Sequence, residues 1–363
     1  MSLPVLLTGC AVGTLSGPTA QPGVSIQGTV HGGQQPISGA HIYLLAANTT
    51  GNGGPGIAPS SSNASLSLLS AGSTGTADSI GAYVTSNASG AFSITGDYTC
   101  TPNTQVYLYA LGGSSGAGNN PSSGLMAALG NCPSTHNFAS ATPTLAVNEL
   151  TTVAAAYAMA GFASDATHVS SSGSTAATTG IKNAFANASN LVDVATGAAR
   201  TATPGGNGTV PQQLLNTLGD ILASCINSSG SVTGPPNTTA CYTLFSNAEF
   251  SGSSGTAPTD TASAAINMAH NPGSNIAALF GLPTAQAPFS PQLSTAPNDF
   301  TVGISYTGGG VDDPSAIAVD LAGNVWVHLN NFSESPVRSL LISAESLGNA
   351  AKNFGLLFVF QSL

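Results

Sequence analysis

Charge is what this chain lacks most. Across 363 residues, Asp, Glu, Lys and Arg together make up 5%, against about 25% in ordinary soluble domains. Only 4 are Lys or Arg, set against 14 Asp and Glu, for a formal net charge of -10. Lys182, Arg200, Arg338 and Lys352 are too few for a basic patch. Phosphate-backbone recognition is thereby excluded, and no nucleic-acid partner is expected. No apolar run approaches the ~20 residues of a membrane-spanning helix, so membrane attachment is expected only through a lipid. Cys-x-x-Cys and His-Glu-x-x-His are missing as well, so neither a metal nor a cofactor is expected. The scarcity of charge is not a sign of disorder. Hydrophobic residues are 42% of the chain, and disorder requires low hydrophobicity together with high charge.

Five cysteines are present. Cys100 and Cys132 bracket one segment of the first half, and Cys225 and Cys241 bracket a Gly/Pro/Asn loop between two helix-like stretches. Two local disulfides are expected, each worth about 2–4 kcal/mol, and with them an oxidising, extracytoplasmic compartment. The fifth is Cys10, in Leu7-Thr8-Gly9-Cys10. That run resembles the lipobox of bacterial lipoproteins, which implies lipidation of Cys10 and a tether over residues 11–23. The apolar run before it, residues 3–7, is short and carries no Lys or Arg, as a truncated start would explain.

Residues 24–45 alternate apolar and polar side chains on both sides of a Gly/Pro loop, which predicts two strands forming a hairpin with one buried face. A polar, Gly/Asn/Ser-rich excursion follows over residues 48–79. Strand character returns at 82–85, 91–95 and 105–111, the last with Val106, Leu108 and Ala110 on one side and Tyr107 and Tyr109 on the other. Ile26, Gly28, Val30, Pro36, Ile37, Gly39, Ala40, Ile42 and Leu44, then Gly90, Ala91, Phe92 and Ile94, give this stretch its pattern. It resembles the carboxypeptidase regulatory-like (transthyretin-like) β-sandwich of secreted bacterial proteins. The resemblance implies an antiparallel sandwich over 24–140 with an accessory or stalk role.

From about residue 143 the period changes. Residues 145–161 are Ala-rich, with Leu145, Glu149, Thr152, Ala156 and Met159 at helical spacing and Asn148 as a candidate N-cap. Further helices are predicted over 181–194, 212–226, 241–250, 261–269 and 276–282. Leu214, Leu215, Leu218, Ile221 and Leu222 form an amphipathic stripe. An all-α domain over 141–290 is expected, with Cys225–Cys241 stapling two of its helices. The run Asn148-Glu149-Leu150-Thr151-Thr152-Val153-Ala154 resembles helical segments that follow such sandwiches in bacterial surface lipoproteins.

After a proline-rich connector over 283–297, residues 314–327 read PSAIAVDLAGNVWV. This resembles one NHL-type β-propeller repeat, with Asp320, Gly323 and Asn324 in a hairpin turn and Ile317, Val319, Val325 and Val327 facing a core. Propellers need about four to eight blades to close, and only one repeat is present. Residues 291–340 are therefore expected to hold a single partial blade, truncated or diverged beyond Arg338, with a helix-like tail over 341–363. The fold class expected is multidomain β + α.

Few residues carry a catalytic pattern. Gly112-Gly113-Ser114-Ser115-Gly116 matches Gly-x-Ser-x-Gly, but it runs into a flexible Gly/Asn loop rather than a helix. Asp165 and His168 sit three apart and read as a loop hydrogen bond ahead of a metal site; the other histidines are His31, His41, His136, His270 and His328, all scattered. Asp299, Asp312 and Asp313 could seed a calcium site, with turn carboxylates as the plainer reading. Tyr107 and Tyr109 offer an aromatic platform for sugars if exposed, and core packing if not. Asn-x-Ser/Thr triplets at Asn63, Asn87, Asn187 and Asn237 reflect composition. The expected function is non-catalytic: display, adhesion or binding at the cell surface, lipid-anchored to the outer membrane or secreted, with an extracellular glycan or protein as partner. The alternatives are a fragment of a propeller enzyme of lyase or lactonase type, and a carbohydrate-binding module using the tyrosines.

Overall fold

The computed structural model describes residues 22–138, 144–283, 287–306, 314–320, 325–329, 341–343 and 359–360. In chain order the first half holds strands Pro22–Gly32 (β1), Gln35–Pro36 (β2), His41–Ala46 (β3) and Leu66–Ser67 (β4), then a single helical turn, Ala71–Thr74 (α1). Val84–Thr85 (β5), Ala91–Asp97 (β6), Gln105–Leu111 (β7), Gly124–Asn131 (β8) and Leu145–Val147 (β9) follow. Next come helix Glu149–Met159 (α2), strands Ala163–Asp165 (β10) and His168–Val169 (β11), and helix Thr175–Leu191 (α3). Three short strands, Val192–Asp193 (β12), Ala198–Ala199 (β13) and Gly208–Thr209 (β14), precede helices Gln212–Ile226 (α4), Ala240–Asn247 (α5), Thr261–His270 (α6) and Ile276–Phe280 (α7). Ser305–Tyr306 (β15), Pro314–Val319 (β16), Val325–Leu329 (β17), Leu341–Ser343 (β18) and Val359–Phe360 (β19) complete the described elements. The chain is mixed α/β, with several antiparallel sheets, seven helices and no closed barrel among the described residues.

The opening stretch divides between two sheets instead of forming one hairpin. β1 belongs to a four-stranded sheet with β2, β6 and β9, whereas β3 belongs to a five-stranded sheet with β4, β5, β7 and β8. Only the tip of β1 turns back, pairing His31 with Pro36 and Gly32 with Gln35. The alternation detected buried residues correctly: Ile26, Val30, Ile42 and Leu44 are all fully buried. The single buried face expected does not hold for β3, where Ile42 to Ala46 are all buried, Tyr43 included, because the second sheet is covered on both faces. A shared alternation does not say which strand each would pair with. Gly28 shows why a glycine stands in β1. Its neighbours are Phe92 on β6 and Leu145 on β9, and a Cβ there would meet the Phe92 ring at 2.8 Å and collide with the Leu145 carbonyl.

Two segments depart from their expected elements. Residues 145–147, expected in a helix, form β9 and run parallel to β1, with Val30 opposite Val147, so this first sheet is not purely antiparallel. Leu145 and Val147 are buried and Ala146 is half-buried, which is strand alternation too short to read before a helix cap. No strand is predicted over residues 124–131, yet they form β8, whose Gly, Ala and Met residues have weak strand propensity. It pairs with β7 through seven register positions, Gln105↔Asn131 to Leu111↔Gly124.

Asn148 caps α2 as predicted, in a capping box: its side chain accepts the Thr151 N–H at 3.0 Å, and the Thr151 hydroxyl accepts the Asn148 N–H at 2.9 Å. Every residue of α2 is buried. A helix buried on all sides is surrounded by other elements, here β8, α3, α4 and α6, and its alanines let them approach closely. Leu215, Leu218, Ile221 and Leu222 of α4 are buried as their stripe implies. One hydrophobic cluster runs from Ile26 and Leu44 in the sheets through Val153 and Leu218 in the helices to Phe300 and Ile304.

The NHL-like segment forms its two antiparallel strands, with Ile317 opposite Val327 and Val319 opposite Val325. Ile317 does not face a core, however; it is 50% exposed. Residues 341–343, expected to be helix-like, form β18 and pair with β17. Likewise Val359–Phe360 pairs with β15. Gly323 and Asn324 lie outside the described residues.

Candidate functional site

The four paired cysteines are bonded as expected, Cys100 to Cys132 and Cys225 to Cys241, with Cα separations of 5.9 and 4.5 Å. All four are buried. The first closes the loop between β6 and β7 onto the end of β8, and the second ties the end of α4 to the start of α5. Cys10, Asp312 and Asp313 lie outside the described residues.

Tyr107 and Tyr109 do not form an exposed platform. They are 0% and 2% exposed, because the second sheet is covered on its tyrosine face as well as on its aliphatic face. The Tyr107 ring lies 6.2 Å from Phe185 of α3, and its hydroxyl donates to the Ala166 carbonyl at 2.9 Å and to Ser65 Oγ at 2.8 Å. Alternation along β7 fixed the two faces; it carried no information that helices would cover the second. Ser114 of the Gly-x-Ser-x-Gly run is tied by backbone bonds to Ser38. His168 Nδ1 lies 2.8 Å from Asp165 Oδ1 across the β10–β11 turn, the loop pairing expected. Asp299 accepts the Thr301 N–H. Among the described residues no group of three or more His, Cys, Asp and Glu side chains is placed to hold a metal.

The geometry instead assembles a cavity of about 380 Å³ where β1, the start of α2, α4 and residues 288–290 meet. Its size lies within the range of small-molecule sites. The tip of β1 shapes one wall. Gly33 has φ +59, a left-handed conformation that L side chains avoid, and a Cβ on it would meet Pro288 at 2.6 Å. The opposite wall is a strap held by three side chains from α4: Asn216 Nδ2 donates to the Pro291 carbonyl (2.8 Å), Thr217 Oγ1 accepts the Leu293 N–H (2.9 Å) and Asp220 Oδ1 accepts the Phe289 N–H (3.0 Å). Positions 216, 217 and 220 share one side of a helix, so a single face of α4 carries the whole strap.

The lining is polar but uncharged. Gln34, Asn148, Gln212 and Asn216 supply amides, Thr29 and Ser290 supply hydroxyls, and Phe289 supplies a ring. Gln212 Nε2 is engaged by the Ala199 carbonyl at 3.0 Å, as Asn216 Nδ2 is by Pro291. Their amide oxygens are left as acceptors. His31 also lines the cavity, and burial lowers its pKa and favours the neutral ring. Uncharged donors and acceptors around an aromatic ring suit a neutral, hydroxyl-bearing ligand.

Two acids stand behind these walls. Glu149 is fully buried; its Oε2 accepts the Gly33 N–H at 2.9 Å, and its Oε1 has no partner. Asp220 is 2% exposed, and its Oδ2 is likewise unpartnered. Burial pushes Glu149 up to about 8, partly offset by the Gly33 N–H and reinforced by the negative charge of Asp220. Burial pushes Asp220 up to about 6, against the Phe289 N–H. Two carboxyls in one apolar interior disfavour joint ionisation. Each acid therefore braces one cavity wall through a backbone N–H. Neither was singled out from the sequence, although the signal existed: each is a lone acid within a helix otherwise free of charge.

No protein family, no protein of curated function and no solved structure matches the chain.

Proposed function

We propose that this chain is an extracytoplasmic, non-catalytic binding or display protein whose cavity takes a neutral, hydroxyl-rich ligand such as an extracellular glycan. The observation that carries the reading is the cavity lining itself: amides and hydroxyls around Phe289, with no Asp, Glu, Lys or Arg in the described wall. Two disulfides support an oxidising compartment. No helix among the described residues is long and apolar enough to cross a membrane. In this proposal residues 1–23 carry an anchor lipidated at Cys10. Residues 24–140 form a carboxypeptidase regulatory-like sandwich, whose paired sheets share a core with the helices of 141–290.

The test is a glycan array followed by saturation-transfer NMR on any hit. Gln34 is exposed and makes no hydrogen bond with another described residue, so Gln34→Ala leaves the fold intact. Together with His31→Ala it is expected to weaken glycan binding about tenfold, as loss of one or two hydrogen bonds implies. An array without hits, or binding indifferent to both variants, rejects the glycan reading.

A second reading draws on the three-stranded antiparallel sheet β16–β17–β18, the arrangement a propeller blade begins with. Under it, residues 291–340 belong to a propeller enzyme, and sequencing the flanking gene would supply or deny the remaining blades.

A further inference from the structure

Tyr109 breaks the pattern set by the other buried tyrosines of the two sheets. Tyr43 donates to Asp78, Tyr98 accepts the Phe138 N–H, and Tyr107 donates to Ser65 and Ala166. Tyr109 is 2% exposed, yet its hydroxyl has no hydrogen-bond partner among the described residues. Unlike Tyr157 Oη, which is sealed without a partner among the described residues, the Tyr109 hydroxyl keeps access to a cavity. Tyr109 lines a second cavity, about 260 Å³, that adjoins a third of about 350 Å³; Asp165, Thr259 and Ser263 line both.

The chemistry of this double cleft differs from that of the amide-lined cavity. It is rich in acceptors, and several of its donors are engaged, although the Ser164 hydroxyl is buried without a partner among the described residues. Ser263 Oγ donates to Asp260 Oδ2 at 2.7 Å, and Thr167 Oγ1 donates to Asp165 Oδ1 at 2.9 Å. The Asn267 amide nitrogen donates to the Ala248 carbonyl at 2.9 Å, leaving its oxygen. Asp165 is held ionised: burial raises its pKa, but the His168 ring and the Thr167 N–H and hydroxyl outweigh burial and bring it below the usual value. Asp260 is buried and caps α6 through the Ala262 and Ser263 N–H groups. The remaining walls include Phe250, Pro59, Pro258, Ile80 and Leu111, all apolar, and no Lys or Arg lines either cavity among the described residues.

We propose that this cleft binds a primary alkylammonium group, with Asp165 and the Tyr109 hydroxyl taking the –NH₃⁺ and the Phe250 and Pro258 side chains covering the alkyl stem. An ammonium supplies three donors and no acceptor, and the Asp165 carboxylate, the Asn267 amide oxygen and the Tyr109 hydroxyl oxygen can receive them. Its charge is matched by Asp165 and favoured by a chain of net charge -10. An aromatic wall adds a cation–π contact. A metal ion is a poorer match, because only two carboxylates converge. The ammonium can come from a free amine or from a lysine side chain of a partner peptide. The proposal is independent of the glycan site.

The experiment uses the full, oxidised chain and NMR titration, since fragments this small bind weakly. n-Butylamine is compared with n-butanol, its neutral counterpart, and with Nα-acetyl-lysine amide as the lysine source. The ammonium is expected to bind at least about tenfold more tightly than the alcohol. Tyr109→Phe, which removes only an unpartnered hydroxyl, is expected to weaken it about fivefold with the melting temperature unchanged. Asp165→Asn is expected to abolish the preference for amine over alcohol, which a folding defect alone would not do selectively. Equal affinity for butylamine and butanol, or wild-type affinity in both variants, overturns the proposal. Tighter binding of the lysine derivative than of butylamine assigns the source as a peptide side chain; the reverse assigns a free amine.

Discussion

Glu149 Oε2 and the backbone N–H of Gly33 meet at 2.9 Å across 116 residues of sequence, joining the first turn of α2 to the tip of β1. The other oxygen of this carboxyl is buried without a partner, so its charged form is penalised. The folded chain then holds a proton on Glu149 up to about pH 8, and one on Asp220 up to about pH 6, while the unfolded chain releases both near pH 4. Stability from these groups is complete below their unfolded values and is lost as pH rises through the folded ones, by up to about 1.4 kcal/mol per pH unit for each titrating group. His31 and His270 act in the opposite sense below about pH 6.5, because burial lowers both. The diagnostic quantity is therefore the difference between wild type and Glu149→Gln. The variant should lose stability less steeply between pH 6 and 8 in thermal melts. Parallel curves would mean that Glu149 is already ionised at pH 6.

The Cys225–Cys241 bond closes a 16-residue separation between α4 and α5. A loop of that length restricts the unfolded chain by about 3 kcal/mol. Paired Cys225→Ser and Cys241→Ser substitutions should lower the urea midpoint accordingly, as should reduction. The Cys100–Cys132 bond, with a separation of 32, should cost slightly more. Free thiols at these four cysteines in oxidised, denatured protein would contradict the bonds; a thiol at Cys10 would not.

Tyr107 acts as a core residue. Tyr107→Phe removes the hydrogen bonds that its hydroxyl donates to Ser65 and Ala166, and should cost about 1–3 kcal/mol. Tyr107→Ala should cost about 3–5 kcal/mol through the cavity it leaves. Both belong in denaturant titrations; a stability change near zero for Tyr107→Ala would return the ring to the surface.

Asn148→Ala removes a capping box and the bond from Asn148 Nδ2 to the Gly197 carbonyl, 2.9 Å. A loss of about 1–2 kcal/mol is expected. Asn148→Asp keeps the acceptor for Thr151 and should recover part of that. Circular dichroism melts of the two variants separate the cap from the Gly197 tie.

What could be read from the sequence was local. The Leu215–Leu222 stripe, the Asn148 cap, the alternation of β7 and the two cysteine pairs each follow from residues near one another in the chain. What could not be read was association over distance. β1 and β3 show the same period, and nothing within either states that they enter different sheets. The burial of Tyr109 depends on the segment around Ala166 and Asp260, far along the chain. The cavity is less legible still. Gln34, Gln212 and Phe289 are ordinary residues until a turn, a helix and a strap bring them together. Glu149 and Asp220 were not singled out either, although each is a single acid inside an otherwise uncharged helix.

The parallel pairing of β9 with β1 bears on how the chain acquires its structure. β1 emerges first during synthesis, but its partners β6 and β9 come much later, Gly28 waiting for both Phe92 and Leu145. Pairings so distant require large loops to close before any contact rewards them, and such topologies fold in about milliseconds to seconds rather than microseconds. Apart from its tip, which pairs at once with the neighbouring β2, this strand has no partner in its sheet throughout that interval. Its alternate positions Gln27, Thr29 and His31 are polar, which limits the apolar surface such a strand shows before it pairs.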